Sequence, residues 1–256
     1  MRTGKININN EISGILTLPS DHEKFPTILF LHGFASDKNE INNIYQYMAE
    51  KLALKGVASL RIDFRGWGES SGKMEDSTID KMIDDVVSSV EYLKKQPSFD
   101  IENISIIGFS LGAAVSILAT EYIRCKSLIL ISPALHLIND FKIFIGEKNL
   151  SKLIEAESPF EINLPWKTIK MKKYFYLSLE KHDPIKFIKS FSGYLHCVAG
   201  KKDFSLANAK QIYKVANTKN KLLTDISNAD HVFSRSDGTN ILKEVADGII
   251  ANFLFI

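Results

Sequence analysis

Strand-like apolar runs alternate with amphipathic stretches along most of this chain, and this alternation limits the fold more than any other feature. The runs at 27–31, 104–107 and 127–131 are largely apolar, as expected for strands that are buried on both faces. The stretches between them carry apolar residues every three or four positions, which is typical of helices that cover a sheet. The sequence therefore predicts an α/β fold with a mostly parallel, doubly wound sheet.

Two regions depart from this alternation. Near the start, two short strand patterns joined by Asn9-Asn10 predict an N-terminal antiparallel hairpin. Later, residues 133–190 are rich in aromatic residues and lysine and show no clear strand pattern. Ligands of such sheets bind beyond the carboxyl ends of the strands. We therefore predict a core domain of residues 1–132 and 191–256, with residues 133–190 inserted as a cap (lid).

The segment Gly108-Phe109-Ser110-Leu111-Gly112 lies between a strand pattern and the helical stretch 113–119. In that context Gly-x-Ser-x-Gly is typical of a nucleophile elbow, a sharp and strained turn from strand to helix. Glycine is needed two residues to either side because neighbouring backbone packs against the turn. The turn raises the Ser110 hydroxyl above the sheet and directs the Leu111 N–H to the same space, so Ser110 is the candidate nucleophile.

A serine hydroxyl needs a general base, and the base needs an acid to orient it. In the strand-elbow-helix fold these partners follow the serine in the order acid, then histidine. Asp203 and His231 each come directly after a strand pattern and would emerge at the same end of the sheet as Ser110. We predict that they complete a catalytic triad, with Asp225 and Asp230 as alternatives for the acid.

The other histidines have weaker claims to a catalytic role. His32 precedes a glycine after a strand pattern, and His196 lies in the middle of a strand pattern, so both are predicted to be structural. His182 stands beside an aspartate, but adjacent residues seldom face each other. His22 and His136 have no supporting context, although His136 begins the predicted cap and could line the substrate entrance.

Two further segments carry a family resemblance, namely Leu31-His32-Gly33-Phe34 and Asp63-Phe64-Arg65-Gly66-Trp67-Gly68-Glu69-Ser70. Together with the elbow and the acid and histidine loops, they make the chain resemble the α/β-hydrolase superfamily. The similarity is greatest to its cinnamoyl/feruloyl esterase-like and serine aminopeptidase-like branch, and it covers most of the chain outside the predicted cap. It implies a second oxyanion-hole donor, the backbone N–H of Phe34, beside that of Leu111. It also implies that residues 63–70 form a tight turn that braces the sheet.

The resemblance predicts a serine carboxylester hydrolase that acts through an acyl-enzyme on small to medium apolar or aromatic, cinnamoyl-like esters. A thioesterase, a monoacylglycerol lipase and a serine aminopeptidase use the same triad and stay open. The peptidase would need an acidic residue in the cap to hold a substrate amine, for which Glu155, Glu157 and Glu161 are the candidates. A hydrolase-fold ligand-binding protein with an inactive site is the non-enzyme alternative.

Aromatic residues of the predicted cap are candidates for the walls of a substrate pocket. Packing of the cap against the core would account for the same residues, so their role in binding stays open. The candidates are Phe141, Phe144, Trp166 and Tyr174.

Composition and net charge limit the kinds of binding partner that we expect for this chain. The net charge of +2 gives no support for nucleic-acid binding, and 45% hydrophobic content is that of a globular protein. Cys125 and Cys197 lie far apart in apolar settings, as expected for thiols, and no His or Cys spacing matches a metal site. We expect a cytoplasmic enzyme with a small-molecule ester substrate, no cofactor, no metal and no integral membrane segment, and a homodimer is left open.

Overall fold

The structure is a computed structural model that describes residues 1–20 and 24–253. Strands and helices alternate along it much as the sequence predicts. The strands are β1 (Arg2–Ile8), β2 (Ile12–Leu18), β3 (Phe25–Leu31), β4 (Ala58–Ile62), β5 (Phe99–Phe109), β6 (Ser127–Ile131), β7 (Phe160–Asn163), β8 (Thr168–Met171), β9 (Tyr194–Gly200) and β10 (Lys221–Ile226). The helices are α1 (Ile44–Ala53), α2 (Ile79–Lys94), α3 (Leu111–Ala119), α4 (Leu137–Ile145), α5 (Glu147–Glu155), α6 (Lys173–Glu180), α7 (Pro184–Ile188), α8 (Ser205–Val215) and α9 (Leu242–Phe253).

Eight of these strands form one sheet in the order β1-β2-β4-β3-β5-β6-β9-β10. The strands from β4 to β10 in that order run parallel to one another, whereas β2 is antiparallel to both of its neighbours. The predicted sheet and its N-terminal hairpin are both confirmed. Because β5, β6, β9 and β10 are parallel, the loops that follow them lie at one edge of the sheet.

Apolar side chains fill both faces of the sheet. On one face, α1 and α9 pack over Ile28, Phe30, Ile107 and Ile129. On the other face, α2, α3 and α8 cover a second and larger apolar cluster, in which every residue of α3 is buried. Helices on both faces explain why the central strands are apolar on both sides. The fold is the predicted doubly wound one.

The segment 133–190, called the inserted segment below, contains α4 to α7 and a hairpin of β7 and β8. The expectation that it lacks strands is wrong. Each hairpin strand has only four residues, and its buried Ile162 or Ile169 alternates with polar residues. Glu161 and Lys170 face each other across the hairpin in an ion pair of 3.2 Å. Charged residues on so short a strand conceal the alternation from a reading of the sequence.

The turn at residues 63–70 is fixed by a buried carboxylate. Asp63 accepts hydrogen bonds of 2.6 Å from both the backbone N–H and the ammonium group of Lys38, and one of 2.8 Å from the Glu69 N–H. Gly68 has a φ of 52°, and a Cβ at that position would overlap the Asp63 carboxyl group. The turn therefore packs closely against the loop that follows β3.

Candidate active site

Ser110 lies at the turn between β5 and α3, with a φ of 52° and a ψ of −112°. L-residues rarely adopt this conformation, and it persists only where the surrounding structure holds it. A Cβ on Gly108 would overlap the backbone of the following helix, and a Cβ on Gly112 would overlap the carbonyl oxygen of Leu31. The two glycines thus let α3 approach the sheet closely enough to place Ser110 at its edge.

Ser110, His231 and Asp203 form a chain of hydrogen bonds. The Nε2 atom of His231 lies 3.0 Å from the Ser110 Oγ, and its Nδ1 atom lies 2.8 Å from the Asp203 Oδ2. An ionised carboxylate can only accept, so the imidazole proton resides on Nδ1 and leaves Nε2 to accept from the serine hydroxyl. This is the arrangement that a general base requires.

The Asp203 carboxylate is held in its ionised form. Its side chain is only 5% exposed, and it accepts hydrogen bonds from His231 and from the Ser205 hydroxyl. Burial acts to raise the pKa of Asp203, but the hydrogen bond and charge of His231 and the bonds from Ser205 outweigh it. The pKa therefore lies below its usual value, and the acid stays charged at neutral pH.

Aromatic rings and a hydroxyl group fix the orientation of His231. The Phe204 ring stacks on the imidazole with 5.3 Å between centroids and 12° between planes, and Phe109 meets it edge-on at 5.6 Å. The Ser132 hydroxyl, just after β6, donates a 2.8 Å hydrogen bond to the His231 carbonyl. Since His231 follows the edge strand β10, its loop reaches back over β9 to the end of β6.

The predicted oxyanion donors lie on the two loops that meet at Ser110. Leu111 begins α3, so its N–H has no acceptor within the helix. Phe34 follows Gly33, and a Cβ built on Gly33 would lie 3.4 Å from the Ser110 Cβ. The backbone around Gly33 is therefore in contact with Ser110.

His32 is buried beside Gly33, in the loop that follows β3, and its ring bonds to other groups than the side chains of Ser110, Asp203 and His231. Its Nδ1 atom lies 2.8 Å from the Gly33 carbonyl oxygen, and its Nε2 atom accepts a 3.2 Å hydrogen bond from the Phe64 N–H. Nδ1 must then carry the proton and donate it to Gly33. Burial lowers the pKa of His32, which keeps the ring neutral in this role.

An apolar pocket adjoins Ser110, and five of its eleven lining residues are phenylalanines. The space that the centres of water molecules could occupy inside it is about 30 Å³. Asp140 also lines it, but its carboxylate already accepts hydrogen bonds from the Leu135 and His136 N–H groups and from the Asn208 amide. The phenylalanines are Phe34, Phe141, Phe144, Phe175 and Phe204.

Only half of the cap aromatics named from the sequence line this pocket. Phe141 and Phe144 do, whereas Trp166 and Tyr174 are 61% and 60% exposed and lie outside it. Trp166 packs against the Phe144 ring in an edge-to-face arrangement, with centroids 5.7 Å apart. Phe204 was missed, although its place directly after the predicted acid was a usable signal.

The alternative acids do not contact the imidazole of His231. Asp225 pairs with Lys201 at 3.3 Å, and the carboxylate of Asp230 accepts the N–H groups of residues 232 and 234 in its own loop. The peptidase candidates Glu155, Glu157 and Glu161 are exposed and do not line the pocket.

The remaining histidines make other contacts. His136 and His182 bond to Gln211 and Asp80 at 2.8 and 3.1 Å, away from the triad. The Nε2 atom of His196 bonds to the Thr224 hydroxyl at 2.9 Å, but its Nδ1 has no partner among the described residues. Only one of its two ring nitrogens is therefore hydrogen-bonded there. His22 lies outside the described residues.

Residues 1–20 and 24–253 contain neither a candidate membrane span nor a candidate metal site. Within that part of the chain, no helix is long and apolar enough to cross a membrane. Over the same residues, no group of three or more His, Cys, Asp or Glu side chains is arranged to hold a metal ion.

A family model described as serine aminopeptidase, S33, matches residues 22–171, more than half of the chain. The esterase EstD of Thermotoga maritima is 22% identical over 90% of this chain, which spans 60% of EstD. The thiohydrolase aneE of Aspergillus aculeatus is 32% identical over 41% of the chain, which spans 32% of aneE.

Among solved structures, Est1E from Butyrivibrio proteoclasticus with bound ferulic acid superposes with a TM-score of 0.80. It is 25% identical, and the match covers 98% of each chain. The curated relatives are thus longer than this chain, whereas Est1E matches it from end to end.

Proposed function

The chain belongs to the serine aminopeptidase S33 family of α/β-hydrolases, and on that premise we propose that it is a serine carboxylester hydrolase. The observation that carries the proposal is the hydrogen-bond chain from Ser110 through His231 to Asp203, which adjoins an apolar pocket. A strained serine, an oriented imidazole and a buried carboxylate are the parts that nucleophilic acyl transfer requires.

In the proposed reaction the Ser110 Oγ attacks the ester carbonyl while His231 Nε2 takes the hydroxyl proton. Asp203 holds the imidazole in the correct tautomer and stabilises the imidazolium that forms. The N–H groups of Phe34 and Leu111 bind the oxyanion of the tetrahedral intermediate. His231 then protonates the leaving alcohol, and afterwards it activates the water molecule that hydrolyses the acyl-enzyme.

The composition of the pocket supports an apolar acyl group as the substrate. Five phenyl rings line it, and the Asp140 carboxylate is engaged by three N–H donors of the protein itself. We therefore assign small to medium aliphatic acyl groups and cinnamoyl-like aromatic ones to this site. Ferulic acid bound to Est1E is consistent with an aromatic acyl group, and the shared fold extends that option to this chain.

We further propose that the inserted segment acts as a cap. Phe141, Phe144 and Phe175 come from this segment and contact the ring of Phe34 from the core, with centroids 5.3 to 5.4 Å apart. Because these rings line the pocket beside Ser110, an acyl group bound there would contact them. The segment would then select the acyl group, while the core carries out the chemistry.

Thioester hydrolysis is the second candidate, and the similarity to a thiohydrolase favours it over peptide hydrolysis. The triad and the pocket suit a thioester as well as an ester, since the acyl group is the same. An aminopeptidase needs a free carboxylate to hold the substrate amine, and the three glutamates considered for this are exposed and away from the pocket.

The test is Ser110→Ala, with hydrolysis of p-nitrophenyl butyrate and labelling by a fluorophosphonate probe as measurements. Both should be abolished, whereas Ser151→Ala, an exposed serine on the inserted segment, should leave both unchanged. Labelling of the Ser110→Ala protein at another serine would contradict the proposal. A panel of methyl cinnamate, an acyl-CoA and an aminoacyl p-nitroanilide then ranks the ester, thioester and peptide activities by kcat/KM.

A further inference from the structure

The loop between β3 and α1 contains a glutamate in a glycine-like conformation. Glu40 has a φ of 57° and a ψ of 178°, a region that is essentially restricted to glycine. A side chain held there against its backbone preference must be fixed by its contacts. The hydrogen bonds of the Glu40 carboxylate therefore show which groups the strained backbone conformation allows it to reach.

Both carboxylate oxygens of Glu40 are hydrogen-bonded within the loop. One oxygen accepts a 2.6 Å bond from the Gly33 N–H. The other accepts bonds of 2.9 Å from the Ser36 hydroxyl and 3.0 Å from the Ile41 N–H. Hydrogen bonds to an ionised carboxylate are the stronger kind. Glu40 thus ties the start of the loop to its end.

The bond to Gly33 controls the residue that directs the Phe34 N–H. Glycine rotates freely about φ and ψ, so a peptide group next to it needs external support. Glu40 binds the N–H on one side of Gly33, and His32 donates to the carbonyl on the other side. That carbonyl belongs to the same peptide group as the Phe34 N–H. Both torsions of Gly33 are therefore restrained, and with them the direction of the Phe34 donor.

We infer that Glu40 is a positioning residue of the oxyanion hole, which restrains Gly33 so that the Phe34 N–H points toward the developing oxyanion. The inference rests on the proposed function. Three neutral donors of the loop stabilise the charged form of the carboxylate by hydrogen bonding. Burial raises the pKa of Glu40, although these hydrogen bonds act to lower it.

Two variants test the inference, Glu40→Gln and Glu40→Gly. The glutamine amide has one accepting oxygen, so its NH₂ group must face either the Gly33 N–H or the Ser36 and Ile41 donors. Glycine removes the side chain but adopts the backbone conformation of residue 40 without strain, which favours retention of the fold.

With p-nitrophenyl butyrate, we expect kcat to fall about 30-fold in both variants, with KM within two-fold of the wild type. Loss of a whole oxyanion donor costs about 10²- to 10³-fold, and loss of its support should cost less. Affinity for an alkyl trifluoromethyl ketone should fall by the same factor, because its hemiketal oxyanion occupies the same hole. A purely structural role would lower the melting temperature without this parallel loss.

Asp37→Asn is the matched control, since it removes a carboxylate from the same loop that has no bond to Gly33. It should retain the wild-type kcat and inhibitor affinity. Wild-type kcat in Glu40→Gly, or an equal loss in Asp37→Asn, would overturn the inference. Should Glu40→Gln fail to fold, Glu40→Gly decides alone. If instead Ser110→Ala keeps its activity, the proposed function fails, which is a separate result.

Discussion

The core side of the pocket and the inserted segment are built in different ways. On the core side, hydrogen bonds, strained backbone and close glycine contacts hold Ser110, His231 and the loop after β3 that contains Gly33. On the other side, the inserted segment borders the pocket with packed aromatic rings, and it leaves Trp166 and Tyr174 more than half exposed.

This difference separates two tasks. Backbone held by hydrogen bonds and by close contacts has one arrangement, which suits chemistry that fails when atoms move by an ångström. Aromatic rings packed by dispersion and the hydrophobic effect can be exchanged or repacked at modest cost. We therefore expect variants on the core side to change the rate of the chemistry, and variants in the inserted segment to change which acyl group is accepted.

The largest effect should come from Asp203→Asn on the core side. An amide at this position favours the wrong tautomer of His231, so kcat should fall by about four orders of magnitude. Hydrolysis of p-nitrophenyl butyrate measures it. Asp225→Asn and Asp230→Asn are the controls and should stay near the wild-type rate. A near-normal rate for Asp203→Asn would move the acid to whichever control loses activity.

A smaller effect is expected for the pH dependence of stability, which depends on how well the core excludes water from the buried His196. His196 in β9 is 1% exposed, and burial lowers its pKa to about 4. In the unfolded chain, His196 binds a proton below about pH 6.5, whereas in the folded protein it does so only below about pH 4. The contribution of His196 to the free energy of unfolding is therefore fully present above pH 6.5. It falls by roughly 3 kcal/mol as the pH falls to 4, at about 1.4 kcal/mol per pKa unit.

Urea unfolding at pH 7 and pH 5 measures this loss. The double variant His196→Leu, Thr224→Val removes the imidazole together with its partner, and its unfolding free energy should fall less between the two pH values than that of the wild type. Thr224→Val alone keeps the imidazole and should retain the wild-type pH dependence. An unchanged pH dependence in the double variant would show that water reaches His196.

The smallest effect should come from Phe144→Ala in the inserted segment. Its ring borders the pocket, so truncation opens room for about two more methylene groups, each worth about 0.8 kcal/mol on burial. We expect the ratio of kcat/KM for p-nitrophenyl octanoate over butyrate to rise about tenfold. Tyr174→Ala, exposed and outside the pocket, should leave that ratio unchanged. A fall in kcat for both esters would contradict the division of tasks.

Features set by local patterns were predictable from the sequence. The sheet and the N-terminal hairpin follow from apolar periodicity, and the order of Ser110, Asp203 and His231 follows from loops after parallel strands. The structure brings these three side chains within hydrogen-bonding distance, while their catalytic roles remain predictions. Such features depend on residues close together in the sequence or on a shared strand direction.

Features set by tertiary packing were not predictable. Exposure separates Phe144 from Trp166, yet both are aromatic residues in the same segment. The β7–β8 hairpin was missed because charged residues interrupt its short strands. Glu40 was not singled out from the sequence, because no pattern signals that its carboxylate turns back to Gly33.

The long reach of the His231 loop has a consequence for heat tolerance. His231 follows a strand that lies three places from the strand before Ser110, and its loop returns over about 14 Å of sheet, given strand spacings near 4.8 Å. Loops open at lower free-energy cost than the sheet that bears them. Warming should therefore separate His231 from Ser110 while the sheet is intact, so that the proposed hydrolase activity is lost below the melting temperature and returns on cooling.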